Sequence, residues 1–401
     1  MNPKSPPPSQ RDPRLDFFRG LAMLIIFVAH VPTNWLAQYI PARFGYSDAA
    51  EMFVFLSGFA ASIAFGGTFR RAGFAMGTAR IAYRCWQIYV AHLGLFFSIA
   101  TICVIGNMLY TEPDYISRLN LYPFFDETQA AMVGLFTLTY VPNYFDILPM
   151  YIGALTLVPV VVALARVNVL LVPAFCFTLY LATWIFDLHF PAEFNSDRPW
   201  FFNPFGWQLL FFTGFTLGSG WIKPPAPSPT LFAVCCVFVL LCVPLNYWPI
   251  WGQFEWLKEI RSWLQPFAQK TNFGLLRWLH FLALAYIAVT AIKGREWLLR
   301  TRVAAPIVKT GQQALPVFLL SMSLAYVGGI FLDQVGRSAW SWTLVNALGF
   351  AILIGAAYMF SWFKSAPWKR TQPRQLAKDE LREDPNLGKT WQPAEVGTVE
   401  T

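Results

Sequence analysis

Residues 16–36 read DFFRGLAMLIIFVAHVPTNWL. The ten residues 20–29 carry no charge, yet an arginine opens the run at 19 and a histidine closes it at 30. An apolar run of about 20 residues, coiled at about 1.5 Å per residue, crosses a hydrocarbon core roughly 30 Å thick. Comparable runs recur at 49–66, 85–107, 144–165, 169–187, 205–221, 230–249, 273–292, 312–332 and 341–363. This pattern predicts an all-α polytopic membrane protein of about ten transmembrane helices. The run at 205–221 is the shortest, and its glycines suit close packing against a neighbour. The piece AAMVGLFTLTYV at 130–141 is too short to cross and reads as an interfacial or re-entrant helix.

Composition agrees. The 401 residues are 56% hydrophobic and 13% charged, too little charge to cover the surface of a soluble chain this long. The formal net charge of +8 is then a topology signal and not a sign of nucleic-acid binding. Ten spans put both termini on one side. With that side cytoplasmic, the inner segments up to residue 378 carry 19 Lys and Arg and the outer ones 7. The positive-inside rule therefore predicts both termini in the cytoplasm.

The N-terminal MNPKSPPPSQRDPR is polar and Pro-rich without a cleavage pattern, so the first span is expected to be an uncleaved anchor. The domain reading is a polar tail at 1–15, a single transmembrane domain at 16–363, and a cytoplasmic tail at 364–401 expected to be disordered. There is no internal repeat. The six cysteines form no CxxC, which supports neither a disulfide framework nor a metal site, and no tightly bound cofactor is expected.

Ionisable groups inside spans are costly and mark function. Span one holds Asp16, Arg19 and His30, span two opens on Glu51, span three holds His92, span four Asp146, and span eight Arg277 and His280. Arg19 and His30 are eleven residues apart, which at about 100° per residue closes three turns to within about 20°. They share one helix face about 16 Å apart along the axis, and Asp16 is spaced to pair with Arg19. With the N-terminus inside, the stripe runs from a charged inner end to a titratable outer end. Histidine suits general-base work near neutrality, and arginine suits phosphate. A donor with phosphates at one end and a thioester on a long arm, as in coenzyme A, fits that spacing. The plainer alternative is a snorkelling Arg19 and a His30 that bonds a neighbouring helix.

Glu51 is expected at the depth of His30, where a carboxylate would fix the imidazole tautomer. Asp48 could do the same or face water. Arg277 and His280, three apart on one face of the outer half, read as an acyl or oxyanion pocket. Asp146 starts span four at the outer face. His92 lines an inner channel or is a satisfied buried histidine, and His189 lies in an outer loop. The inner loops 67–84 and 293–311 are basic. Most of that charge suits lipid headgroups, while Arg80 and Arg84, at the mouth of span three, suit coenzyme phosphates. The outer stretches TEPDYISRLNLYPFFDETQ (111–129) and DLHFPAEFNSDRPWFFNP (187–204) suit sugars, or equally an aromatic belt at the headgroups.

The R-x10-H of span one, MFVFLSGF in span two and the arginines before IY at span three resemble the membrane acyltransferase type 3 superfamily. More closely, RDPRLDFFRGLAMLIIFVAH (11–30), SDAAEMFVFLSGF (47–59), DILPMYIGALTLVP (146–159), FNPFGWQLLFFTG (202–214) and GQQALPVFLLSMSLAY (311–326) are similar to the OpgC family, which succinylates osmoregulated periplasmic glucans. The resemblance implies ten spans in the bacterial inner membrane, cytoplasmic succinyl-CoA as acyl donor, a periplasmic glucan as acceptor, membrane lipids as surroundings, and Arg19 with His30 as the essential pair. The superfamily's arginine pair before span three is separated by two residues; here Arg80 and Arg84 are separated by three. Alternatives are acetyl or another acyl group, another surface polysaccharide or a lipid as acceptor, transfer through an acyl-enzyme on Ser57 or Ser321, and a non-enzymatic transporter.

Overall fold

The computed structural model describes residues 12–369; the C-terminal tail expected to be disordered lies almost wholly outside them, as does most of the N-terminal tail. Among the described residues every named element is helical, and strand pairing is limited to one isolated bridge between Pro191 and Pro199. The chain divides into residues 1–357 and a small unit 358–401. The described part of that unit is the end of the last long helix and the 3-10 turn Pro367–Lys369.

Helix α1, Pro13–His30, begins where Asp12 accepts the Arg14 amide at 2.9 Å and Pro13 takes the first turn, a position where a missing N–H costs nothing. It ends earlier than the run at 16–36 suggests. Val31 is extended at φ −68° and ψ 112°, because Pro32 disfavours the helical conformation in the residue before it. The next residues fold as 3-10 turns at Trp35–Gln38 and Pro41–Arg43. His30 is therefore the last residue of its helix and faces a loop region.

Helix α2, Ala49–Arg71, contains a π-helical turn at Ser62–Gly66. Helix α3, Gly73–Leu109, is 37 residues long and reaches about 55 Å. It starts twelve residues before the run at 85–107, so the arginine-rich stretch at 67–84 is mostly helix and turns its corner at Gly73, φ 83°. Then come α4 (Thr128–Thr137, short as its sequence predicts), α5 (Ile147–Val167), α6 (Leu171–Ile185), α7 (Pro204–Gly218), α8 (Pro229–Asn246), α9 (Glu255–Ala268), α10 (Leu275–Ile292), α11 (Ala304–Gln312), α12 (Ala314–Val335) and α13 (Ala339–Lys364).

Seven described helices, α2, α3, α5, α8, α10, α12 and α13, are long and apolar enough to cross a bilayer. This is a multi-pass membrane protein. The other three of the ten expected spans correspond to α1, with Arg14, Asp16 and Arg19 near one end, and to the 15-residue helices α6 and α7.

The core forms around α7, where Trp207, Leu210, Phe211, Phe212 and Phe215 are fully buried. Glycines let backbones touch, the usual device where lipid supplies no hydrophobic drive between helices. A Cβ on Gly58 of α2 would overlap the Phe211 carbonyl, and one on Gly214 of α7 the Phe55 carbonyl. The same occurs where α1 crosses α11, at Gly20 against Ile307 and Gly311 against Asp16. Beyond the end of α1, Asn34 and Asn346 exchange amide hydrogen bonds at 2.9 and 3.0 Å, which ties the chain after His30 to α13.

Candidate functional site

The His30 Nδ1 lies 2.8 Å from the Ile26 carbonyl oxygen, one turn back in α1. A carbonyl only accepts, so Nδ1 carries the proton and donates, and the Nε2 lone pair is left for other use. The ring meets Tyr144 edge-on, with centroids 4.9 Å apart. Tyr144 sits in the left-handed region at φ 91° and is held there by its hydroxyl, which donates to the Met322 carbonyl at 3.0 Å. His30 lines a cavity of about 380 Å³ together with Asp48, Tyr144, Asp146, Phe202 and Lys270. These come from the end of α1, the starts of α2 and α5, and the loops before α7 and after α9. The cavity therefore opens among the loops on the His30 side of the bundle.

Asp48 and Lys270 on its lining join Glu51 and Arg277 behind it in a network of two carboxylates and two cations. Asp48 caps α2: its Oδ1 accepts the Ala50 amide at 2.7 Å, and its Oδ2 meets Lys270 Nζ at 2.6 Å and Arg277 Nη2 at 3.7 Å. Glu51, fully buried, completes a capping box by accepting the Asp48 amide on Oε2 at 2.7 Å. Its Oε1 meets Arg277 Nε at 2.7 Å and Nη2 at 2.6 Å. Burial alone would raise the Asp48 carboxyl; the charges of Lys270 and Arg277 outweigh it and hold that carboxyl far below the usual carboxylate range.

Several expected contacts are arranged differently. The imidazole Nδ1 of His30 is met by a backbone carbonyl, while Glu51 is turned toward Arg277 and its own helix start. Arg277 does not line the cavity; it stands behind Asp48 and Glu51. His280 is also away from the lining, with Nδ1 on the Ser47 hydroxyl at 2.8 Å and its ring against Gly45. It braces the loop that leads into Asp48. Asp146 does line the cavity, buried, with Oδ1 accepting the Phe201 amide at 2.8 Å. His92 is fully buried edge-on to Phe145, outside the cavity. His189 faces the Asp187 carbonyl in its loop at 2.7 Å.

Toward the other end of α1, Arg19 and Arg84 both lie within electrostatic reach of the Tyr151 hydroxyl on α5. Arg84 donates to Gln87 at 3.1 Å and lines a shallow groove with Tyr83, Trp86, Val90 and Leu315. Arg80 is turned to α2, where it donates to the Ala64 carbonyl at 2.9 Å and to the Thr68 hydroxyl and covers the Phe65 ring. It satisfies a carbonyl at the π-helical turn. The structure thus sets Arg84 on the groove and ties Arg80 to the neighbouring helix.

Sequence reasoning missed Lys270 and Tyr144. Lys270 sits in a loop where its charge reads only as a topology count. The arrangement of Glu51 did have a signal: DAAE at 48–51, immediately before an apolar run, is the spacing of a capping box.

No curated protein and no solved structure gives a significant match to the chain. A protein-family model described as "OpgC protein" matches residues 11–365, nearly all of the described chain. The chain belongs to the OpgC family, and at the family level this makes it a glucan-modifying membrane acyltransferase.

Proposed function

We propose that the protein moves a succinyl group from succinyl-CoA to a hydroxyl of a periplasmic glucan, with His30 as general base. The observation that carries this reading is the His30 tautomer: Nδ1 is committed to the Ile26 carbonyl at 2.8 Å, so a basic Nε2 is available in a cavity with Asp48 and Asp146. The glucan oxygen attacks the thioester carbonyl carbon as Nε2 takes its proton. The C–S bond then breaks, the ester C–O bond is complete, and the imidazolium returns the proton to the coenzyme A thiolate. Transfer to glucan is thus direct, and neither Ser57 nor Ser321 need carry the acyl group.

Arg19, about 16 Å from His30 along α1, and Arg84 on α3 are assigned to the phosphates of the coenzyme. Lys270 is assigned to the distal carboxylate of the succinyl group, because it is the cation on the cavity lining. Arg277 acts one layer back as a positioning residue, through Asp48 and Glu51. Asp48 and Asp146 offer acceptors to sugar hydroxyls, and Phe202 offers a flat apolar face. Ten spans with both termini in the cytoplasm would put the coenzyme end inside and the His30 cavity at the periplasmic face of the inner membrane, in line with the Lys and Arg count.

The test is mass spectrometry of periplasmic glucans from cells whose only copy of this protein carries His30→Ala. Loss of succinylation with normal amounts of membrane-inserted protein is expected. Unchanged substitution would overturn the assignment.

A further inference from the structure

Helix α9 has three distinct faces. Trp256, Ile260, Trp263 and Phe267 are 57%, 43%, 83% and 55% exposed. At about 100° per residue they form one stripe roughly 60° wide. On one flank, about 90° away, Leu257 is buried against the protein. On the other flank Glu255, Glu259 and Ser262 are exposed, and Lys258 pairs with Glu255 at 2.6 Å. An apolar stripe with two tryptophans, set between a protein-facing and a charged sector, needs a third medium.

Placement in the chain says which. Residues 247–254 join α9 to α8, and residues 269–274 join it to α10, two helices long and apolar enough to cross the bilayer. Only 11% of the apolar window of α8 is buried, and Val234, Val237, Leu240 and Leu241 are exposed along it. The apolar stripe of α9 thus follows, in the chain, a helix whose exposed apolar side chains suit lipid. Arg261 pins α9 to the end of α8: it donates to the Leu245 carbonyl at 2.6 Å and lies over the Trp251 ring at 4.6 Å. At its other end Arg277 donates to the Ala268 carbonyl at 3.4 Å, and the chain runs on to Lys270 in the cavity lining.

We infer that α9 is an in-plane membrane-surface helix, lying in the bilayer leaflet on the side of the His30 cavity with Trp256, Ile260, Trp263 and Phe267 in the headgroup–acyl boundary. Tryptophan and phenylalanine on the apolar face of a strongly amphipathic helix are the usual means of that attachment. The charged flank stays in water.

The test is nitroxide accessibility in the full chain, reconstituted in phosphatidylcholine–phosphatidylglycerol vesicles. Single cysteines replace each stripe position (Trp256→Cys, Ile260→Cys, Trp263→Cys, Phe267→Cys) or flank position (Glu255→Cys, Glu259→Cys, Ser262→Cys) in a background without the six native cysteines. Stripe labels should relax more with oxygen than with a water-soluble nickel chelate, and flank labels the reverse. Stripe labels more accessible to the chelate overturn the inference, as do stripe labels shielded from both reagents, which would mean a protein partner on that face. Should the cysteine-free background not fold, acyl-brominated lipid is used with the native-cysteine protein. The quenchable tryptophan fluorescence should drop in Trp256→Phe/Trp263→Phe, and an unchanged quenchable signal overturns the inference.

Discussion

Arg277 of α10 grips Glu51 of α2 through two nitrogens on one oxygen, Nε at 2.7 Å and Nη2 at 2.6 Å, while the other Glu51 oxygen holds the start of its own helix. A buried pair of this kind is weak evidence for net stability, because both charges were taken out of water. Its value lies in what breaking it would leave behind. Arg277 has a second, looser carboxylate in Asp48 at 3.7 Å; Glu51 has no second cation within ion-pair distance among the described residues.

That asymmetry sets the first prediction. Arg277→Met should cost about 3–5 kcal/mol, and Glu51→Gln somewhat less, because Asp48 still serves Arg277. The double variant should lose less than the sum of the two. Unfolding of the purified protein in detergent reads all three, and strictly additive losses would show that the pair is not coupled.

Lys270 and Arg277 differ in reach. Lys270 lines the cavity and Arg277 stands behind it. Lys270→Met should therefore lower succinyl transfer roughly ten- to a hundredfold more than acetyl transfer from acetyl-CoA, the equivalent of one lost charged hydrogen bond of about 1.5–3 kcal/mol; the smaller loss common to both donors comes from Asp48, which gives up its closer cation. Arg277→Met should lower both, since it loosens Asp48 and Glu51 together. Equal losses on both donors for Lys270→Met would remove it from the acyl subsite.

The helical fold is legible because repeated apolar runs are hard to read otherwise, and α1 is one unbroken helix from Arg19 to His30, so the two positions share a face. What the sequence obscured has local causes. Pro32 stops α1 at His30, although hydrophobicity continues through Val31. The arginines of 67–84 hid a helix, since a long helix can carry charge once it leaves the hydrocarbon. Depth alone sets Glu51 against His30, and depth does not choose a partner. A D-x-x-E spacing before a helix does, and it turned the carboxylate inward. Lys270 could not be found by any local rule, because a loop 222 residues away in sequence brings Asp48 to it.

Asp48 supplies a pH dependence with a definite sign. Burial opposes its ionisation, but Lys270 and Arg277 prevail and its folded carboxyl stays far below the unfolded value of about 3.9. A depressed carboxylate adds stability that is present above the unfolded value and is lost as pH falls through the folded one. The Asp48 contribution to the stability gap between the native protein and Asp48→Asn should thus be lost as pH falls below about 4. Detergent unfolding from about pH 5 downward measures it; a gap that does not narrow below about pH 4 would show that Asp48 is not held ionised by its two cations.

The crossing of α1 and α11 supplies the last prediction. Gly20 and Gly311 are each in backbone contact with the opposite helix, and a Cβ on either would overlap a carbonyl oxygen, of Ile307 or of Asp16. Backbone cannot yield as a side-chain tip can, so Gly20→Ala and Gly311→Ala should each cost at least the 1–3 kcal/mol typical of overpacking. Gly94, within α3, has open space where its Cβ would go. Gly94→Ala should be neutral or stabilising by up to about 1 kcal/mol, through helix propensity alone. Since Arg19 lies between Asp16 and Gly20, prising α1 from α11 also moves it relative to Tyr151 and Arg84. Gly20→Ala should accordingly raise KM for the thioester more than it lowers kcat, whereas Gly94→Ala leaves both unchanged. A Gly20→Ala protein with native stability and native KM would show that the helices do not depend on this contact to set the Arg19 position.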